Sequence, residues 1–302
     1  MQHPARQALE YASSLLGFSG LGVADAHAQQ DDKLARFIAE GKHADMTWME
    51  RHLAARQNPE LLLPGVKRVV MLTYEYPRQD ARLSSGMIAR YAQGEDYHKL
   101  LLHKLADLDE TLQFYGGVQR YFTDSGPVSE RFFAAQAGLG WIGRNGLLIR
   151  PGRGSYCFLA SLLTTLELPL DSPMGEHCGN CHRCEQACPT GALHYGCCDA
   201  RRCLSYWTIE AHASMPAEIA AQQGARLYGC DVCQEVCPWN RPQLGQEAAL
   251  DPHLLMPATL RQASPDYLAG LSEDDFKLLF KGSPIQRIGV EHLRRNAESG
   301  NF

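Results

Sequence analysis

Residues 178–189 read Cys178-Gly-Asn-Cys181-His-Arg-Cys184-Glu-Gln-Ala-Cys188-Pro189, and a second run reads Cys230-Asp-Val-Cys233-Gln-Glu-Val-Cys237-Pro238. Three thiolates spaced two residues apart, with a fourth three further on and followed by proline, form the ligand pattern of paired iron–sulfur clusters. In that pattern the fourth cysteine serves the other cluster. The second run repeats it without its first member, where Leu227 stands instead. One thiolate must therefore come from elsewhere. Crossing the fourth ligands assigns Cys178, Cys181, Cys184 and Cys237 to one 4Fe–4S cluster. The other takes Cys188, Cys230, Cys233 and one outside cysteine. Zinc is more usually held by two separated CxxC pairs, and a disulfide framework suits small exported chains better than this one. The pattern points to an electron handler.

Working outward, 302 residues accommodate one large domain or two ordinary ones. Hydrophobic content of 45% and charged content of 21% are those of a globular protein. No apolar run approaches the roughly 20 residues that span a bilayer. A net charge of −5 argues against non-specific coating of nucleic acid, though not against a local basic patch. Residues 13–24 are apolar and precede Ala26-His27-Ala28, which imitates an export cleavage site. Glu10 and Asp25 flank the run, however, and Leu9, Ala12, Leu15 and Leu16 have helical spacing, so an amphipathic first helix is expected. The expected location is cytoplasmic.

Helices are expected from Asp31 to Gly41 and from Ala44 to Arg56. Val66-Lys-Arg-Val-Val-Met-Leu-Thr-Tyr74 reads as a buried strand between Pro64-Gly65 and Pro77. Asp96 to Gly116 is a long amphipathic helix with Leu101, Leu102, Leu105, Leu108 and Leu112 on or near one face. A strand near Val118–Thr123, a turn at Asp124-Ser-Gly-Pro127, a helix from Val128 to Ala137 and strands near Gly146–Ile149 and Ser155–Leu162 follow. Helices and strands mix without strict alternation, so the class is α+β. Composition shifts at Pro169-Leu-Asp-Ser-Pro173, giving expected units at 1–170, 171–240 and 241–302.

With the cysteines placed, other segments resemble the epoxyqueuosine reductases, cobalamin-dependent enzymes of tRNA modification related to reductive dehalogenases. They are Ile88-Ala-Arg-Tyr-Ala-Gln-Gly-Glu-Asp-Tyr-His-Lys99, Thr123-Asp-Ser-Gly-Pro-Val-Ser-Glu130 and Ala137-Gly-Leu-Gly-Trp-Ile-Gly-Arg-Asn145. Arg202-Cys-Leu-Ser-Tyr-Trp-Thr-Ile-Glu210 and Tyr228-Gly-Cys-Asp-Val-Cys-Gln-Glu-Val-Cys-Pro-Trp-Asn240 are the most specific. The resemblance implies a nitroreductase-like, sandwich-like cobalamin-binding domain, a ferredoxin-like module with two 4Fe–4S clusters, and a short helical tail. Family members commonly continue into HEAT-like repeats, truncated or absent here. It also implies that Cys203 is the outside ligand. The implied reaction reduces the epoxide of epoxyqueuosine at the tRNA wobble position to the alkene of queuosine, consuming two electrons and two protons and releasing water.

By the same resemblance Asp124 is the proton donor, and Arg56, Asp124, Leu148, Leu159, Ser205, Asp231 and Val232 line the corrin. Read from the residues alone, Asp124 before Ser-Gly-Pro is a helix N-cap, Leu148 and Leu159 are core, and Arg56 is a solvated helix end. A donor carboxyl must be protonated before transfer, so burial beside the corrin is expected to raise the pKa of Asp124. No Asp-x-His-x-x-Gly motif occurs; His98 reads as structural and no histidine ligand to cobalt is expected. Expected partners are the modified tRNA and an external low-potential electron donor such as a ferredoxin, flavodoxin or reductase, with the chain itself a monomer. Lys277, Lys281, Arg287, Arg294 and Arg295 outnumber Glu291 and Glu298 near the end, and Arg201, Arg202 and Arg226 flank the cysteines; these could meet phosphates or form an ordinary solvated face. Cys157, Cys197 and Cys198 read as free thiols, the last two competing with Cys203. Two other readings stand beside this one. A cytoplasmic corrinoid dehalogenase would act on small molecules, and an electron-transfer module would have no substrate of its own.

Overall fold

A computed structural model describes residues 3–77, 88–241 and 251–300; the parts of the expected tail at 242–250 and 301–302 lie outside the described residues. Its centre is an antiparallel four-stranded sheet of β1 (Gly20–Asp25), β2 (Arg68–Glu75), β3 (Gln119–Phe122) and β4 (Cys157–Thr164), in the order β1-β2-β4-β3. Both faces are covered. Val70, Leu72, Ala160 and Leu162 pack under α1 (Pro4–Leu15) and α2 (Tyr97–Gln113), while Val69, Met71 and Leu163 pack on the opposite side against α3 (Glu130–Gln136). Side chains alternate across a strand, so a strand with two apolar neighbours reads as a continuous apolar run. That is why 66–74 shows no polar alternation.

Leu101, Leu105, Leu108 and Leu112 are fully buried along one stripe of α2, and Leu102, 36% accessible, is turned off it. The apolar stretch 13–24 divides differently from the expectation. The first helix stops at Leu15, Gly17 adopts φ +84°, and β1 begins at Gly20. Helical spacing at Leu9–Leu16 is real, but it conceals a turn and an edge strand. The expected helix from Ala44 to Arg56 is two short ones, Trp48–Arg51 and Leu53–Gln57, because Ala44 sits at φ +55° and helical backbone starts only after it.

Residues 251–300 are helical and are not an appendage. Met256, Leu260, Leu268, Phe276, Phe280, Ile285 and Leu293 share one core with Ile88, Ala92, Ile209, Leu227 and Tyr228. Asp96 N donates to Gly282 O at 2.6 Å, and Tyr74 OH donates to Asp251 Oδ2 at 2.5 Å. The cysteine-bearing segment is stitched to the sheet by Asn240. Its Oδ1 accepts from Ser155 N at 2.6 Å, and its Nδ2 donates to Ser155 Oγ at 2.9 Å and Gln234 O at 2.8 Å. All three residues are buried or nearly so, and removing the amide strands several polar groups. Asn240→Ala is expected to cost about 2–3 kcal/mol of stability. A denaturant midpoint unchanged from the parent contradicts this.

Candidate active site and cluster ligands

Asp124 stands two residues beyond the end of β3, and its backbone adopts φ +54°, a left-handed conformation that aspartate tolerates better than most residues. The turn is tight. A Cβ on Gly126 would stand 2.5 Å from the Phe122 ring, and Ser125 N donates back to Thr123 O at 2.5 Å. The next helix, α3, begins six residues later with Ser129 at its cap position, so Asp124 is not an N-cap. Its side chain is 59% accessible and faces open space within a dense surround.

Two residues of α2 converge on Asp124. Tyr97 OH donates to Oδ2 at 2.9 Å, and His98 Nε2 lies 3.2 Å from the same oxygen. Asp96 caps α2 by accepting from His98 N and also holds His98 Nδ1 at 2.7 Å. The rings of Phe158, Tyr97 and His98 stack, with centroids 4.0 and 4.1 Å apart. Asp96, His98 and Asp124 thus form a chain of hydrogen-bonding groups on a stacked aromatic base. Sequence reading missed Tyr97 and His98 as partners. The signal was present in Asp96-Tyr97-His98 at the start of a helix, but the carboxylate they meet is distant in sequence.

The side chains around Asp124 act on its carboxyl in opposite directions. Dehydration by surrounding protein pushes the Asp124 carboxyl upward. The hydrogen bond and charge of His98, then Tyr97 OH and Arg287, outweigh it, leaving Asp124 below its ordinary value rather than above. Burial pulls His98 down, yet Asp124 and Asp96 outweigh it and hold the imidazolium above its ordinary value. Glu130 takes the opposite course. Burial and then the charge of Asp124 push it up to about 8, against the Asp124 N–H that its Oε1 accepts at 3.0 Å and the charges of Arg56 and Arg131. Neighbouring carboxyls are thereby driven apart, one ionised and one protonated near neutrality.

A carboxyl whose pKa rises on folding gives its full stability below the unfolded value, about 4.3, and loses it as pH climbs through the folded value. Replacing Glu130 by Gln keeps an acceptor for Asp124 N and removes the titration. Glu130→Gln is therefore expected to be roughly 3–4 kcal/mol more stabilising at pH 8 than at pH 5. Equal shifts in the denaturant midpoint at both pH values contradict this.

Arg56 Nη1 donates to Val128 O at 3.0 Å, its guanidinium covers the Trp48 ring, and its charge faces Glu130 and Asp124. Its Nε is buried without a hydrogen-bond partner, so it is not a solvated helix end. Leu159 O accepts from Thr123 Oγ1 at 2.8 Å, immediately before Asp124, and Leu148 is buried in the same core as Val128 and Phe133. Ser205 lies in helix α4 (Leu204–Ile209). Asp231 and Val232 open the short helix Val232–Glu235, but the Asp231 carboxylate is engaged by Arg90 N at 2.7 Å and Nη1 at 3.2 Å. Tyr91 packs against both Tyr97 and Tyr228, and the charge of Asp124 reaches Tyr228.

All eleven cysteines are unbridged. Cys178, Cys181, Cys184 and Cys237 line one concavity together with Arg144, Asn145, Ile149 and Trp239. Trp141 Nε1 donates to Cys178 Sγ at 3.5 Å. Elsewhere the Cys233 thiol faces Cys230 and Cys203, and Cys188 Sγ accepts from Ala192 N at 3.3 Å. Cys203 stands at the N-cap position of α4, and its side chain makes no capping hydrogen bond to the helix. Burial holds the Cys184 and Cys230 thiols up at about 11 each, so loading metal there releases protons. Among the described residues no three metal-ligating side chains close on a single point. Thiols arranged around a cube sit on separate corners, each on its own iron.

Most of the cations expected to meet phosphate are already partnered. Lys277 pairs with Glu273, Arg294 with Glu291, and Arg201 with Asp199, while Arg202 donates to Thr190 O and Arg295 to His212 O. Arg287 binds Glu210 at 2.5 Å, and its charge reaches Asp124. With His212, Glu291, His292 and Arg295 it lines a cavity of about 460 Å³.

A sandwich carrying a carboxylate–imidazole pair, joined to a module with two sets of cysteines, defines an iron–sulfur oxidoreductase. Residues 177–240 match the family described as 4Fe-4S double cluster binding domain, and residues 56–125 match epoxyqueuosine reductase QueG, DUF1730. The chain is 41% identical to the epoxyqueuosine reductase of Salmonella typhimurium over 92% of its own length and 74% of that protein's. It is 40% identical to that of Escherichia coli, over 92% and 75%. A solved epoxyqueuosine reductase with an epoxyqueuosine-modified tRNA-Tyr stem loop superposes with a TM-score of 0.85 at 30% identity, covering 97% of this chain and 80% of that one. The chain belongs to the epoxyqueuosine reductase family. As an oxidoreductase it is more than an electron-transfer module without a substrate.

Proposed function

We propose that this chain reduces the epoxide of epoxyqueuosine in the anticodon loop of tRNA to the alkene of queuosine, with two 4Fe–4S clusters and a cobalamin as its cofactors. The observation that carries the reading is the Asp124 carboxylate, held in a left-handed turn by Tyr97 and His98 beside an unpartnered Arg56 Nε. A corrinoid fits there because its peripheral amides offer acceptors for such a donor. Arg56, Asp124, Leu148, Leu159, Ser205, Asp231 and Val232 are the residues proposed to hold it, Asp231 and Val232 through the turn they form, since the Asp231 carboxylate is taken by Arg90. Bound cobalamin supplies a low-potential nucleophile for the epoxide carbon, chemistry that no side chain offers.

The protein's share is the proton. Opening the epoxide leaves an oxygen that must depart as water, which consumes two electrons and two protons. Asp124 Oδ2 is the atom nearest that oxygen in this reading, His98 Nε2 refills it, and Asp96 fixes the imidazole by its other nitrogen. Tyr97 OH fixes the carboxylate. The first cluster takes Cys178, Cys181, Cys184 and Cys237, and the second Cys188, Cys203, Cys230 and Cys233. Low-potential electrons enter from an external ferredoxin, flavodoxin or reductase. We place the chain in the cytoplasm as a monomer; no helix among the described residues is long and apolar enough to cross a membrane. The test is to purify it anaerobically, record optical and electron paramagnetic resonance spectra for 4Fe–4S and cob(II)alamin, and assay epoxyqueuosine-containing tRNA by nucleoside mass spectrometry. Protein carrying both cofactors that leaves the epoxide intact refutes the proposal.

A further inference from the structure

Trp141-Ile-Gly-Arg-Asn145 takes no part in the reaction above, yet it borders the concavity of Cys178, Cys181, Cys184 and Cys237. The chain doubles back there. Trp141–Ile142 pairs with Leu148–Ile149, and Gly143 N donates to Leu147 O at 2.8 Å. A Cβ on Gly140 would run into the Ile149 carbonyl oxygen, so glycine is what lets the two strands approach. Trp141 is buried, held by ring contacts with His177 and Trp239, and donates from Nε1 to Cys178 Sγ at 3.5 Å. Arg144 Nη2 donates to Gly179 O at 3.1 Å, inside the first Cys-x-x-Cys. Asn145, only 5% accessible, lines the concavity itself. Its Oδ1 accepts from Leu147 N at 3.2 Å, which fixes the amide. Its Nδ2 is buried with no hydrogen-bond partner among the described residues. A buried N–H left unpaired is costly, and its usual explanation in a folded protein is a bound ion, a water or a redox role. Here the orphaned donor lines four thiols spaced for a cube, and another donor of the same segment already meets one of those sulfurs.

We propose that Trp141 Nε1 and Asn145 Nδ2 are hydrogen-bond donors to the sulfurs of the first 4Fe–4S cluster and raise its reduction potential. The inference rests on the two-cluster reading above. A donated N–H stabilises the added negative charge of the reduced cluster more than the oxidised one, and hydrogen bonds to the sulfurs are one of the protein's controls on potential. Neither residue touches the epoxide. Both act through the cluster, on how readily it accepts an electron from the external donor.

The test uses the full chain, prepared anaerobically. Wild type and Asn145→Asp are isotope-labelled at the asparagine side-chain nitrogens, reduced with dithionite and compared by pulsed electron paramagnetic resonance. Aspartate keeps the acceptor for Leu147 N and loses the donor. A weak coupling of a labelled nitrogen to a reduced cluster is expected in wild type and not in Asn145→Asp. Wild type without that coupling, or the same coupling in both proteins, overturns the proposal. Trp141→Phe keeps an aromatic ring against His177 and Trp239 and removes the N–H. Its redox titration is expected to show one cluster's midpoint shifted negative by about 59 mV, a tenfold change in a one-electron equilibrium. The other midpoint and the iron per chain are expected to stay at the wild-type level. If Asn145→Asp takes up no iron, Trp141→Phe decides, and unchanged midpoints are then the negative result. Wild-type protein with no iron at all would instead remove the two-cluster reading itself.

Discussion

Asp124→Asn is expected to keep both clusters and cobalamin while turnover on epoxyqueuosine-containing tRNA falls by about 10²–10⁴-fold, the usual contribution of a positioned acid. Asparagine isolates the proton from the fold. The backbone at this position is left-handed, at φ +54°, and asparagine accepts that conformation as readily as aspartate, whereas alanine would mix strain with chemistry. The amide oxygen can still accept from Tyr97 OH, so the turn stays closed. What is lost is a group able to take a proton from His98 and pass it on. Cofactor spectra matching the parent, with lost turnover, are the expected signature. Near-parental turnover removes Asp124 from the reaction, and loss of cobalamin instead assigns it to binding.

Legibility in the sequence followed how local each signal was. The cysteine pattern is contiguous and needs no fold to be read, and residues 177–240 match a double-cluster domain. The buried strand at 66–74 and the leucine stripe of α2 were equally plain, because each carries its own periodicity. β1 was hidden since its apolar residues run on from those of α1, and only the turn at Gly17 separates them. The fourth set member could not be chosen from spacing, because Cys198 and Cys203 are both close to Cys188 along the chain. The basic tail misled in a different way. Positive charge is visible in sequence, but whether Arg294 and Arg295 face solvent or tie helix α5 (Gly289–Ser299) to its neighbours depends on tertiary partners. The same holds for Asp124. Burial was anticipated, but the side chain is 59% accessible, and the imidazole that sets the sign of its shift lies 26 residues away.

That reversal leads to the second large effect. Asp124 lies below its ordinary value and His98 above, so near neutrality the pair shares one proton that resides mainly on the imidazole. The donor-competent form is the singly protonated pair, and it disappears as pH rises through the raised His98 value. Tyr97, Asp96, Glu130 and Arg287 face this pair. Glu130 is pushed up to about 8, so it is uncharged at pH 6 and ionises toward pH 8. His98→Gln keeps a hydrogen-bond donor toward Oδ2 but carries no transferable proton, and it removes the cation that depresses Asp124. Turnover is expected to fall about 10²-fold at pH 8 and only about tenfold at pH 6, because acid can protonate the carboxyl directly once the imidazolium no longer opposes it. The alkaline decline should accordingly begin at lower pH than in the parent. A purely structural histidine would lower turnover by one factor at every pH, and parallel profiles for His98→Gln and parent would show that the imidazole holds Asp124 in place without feeding it.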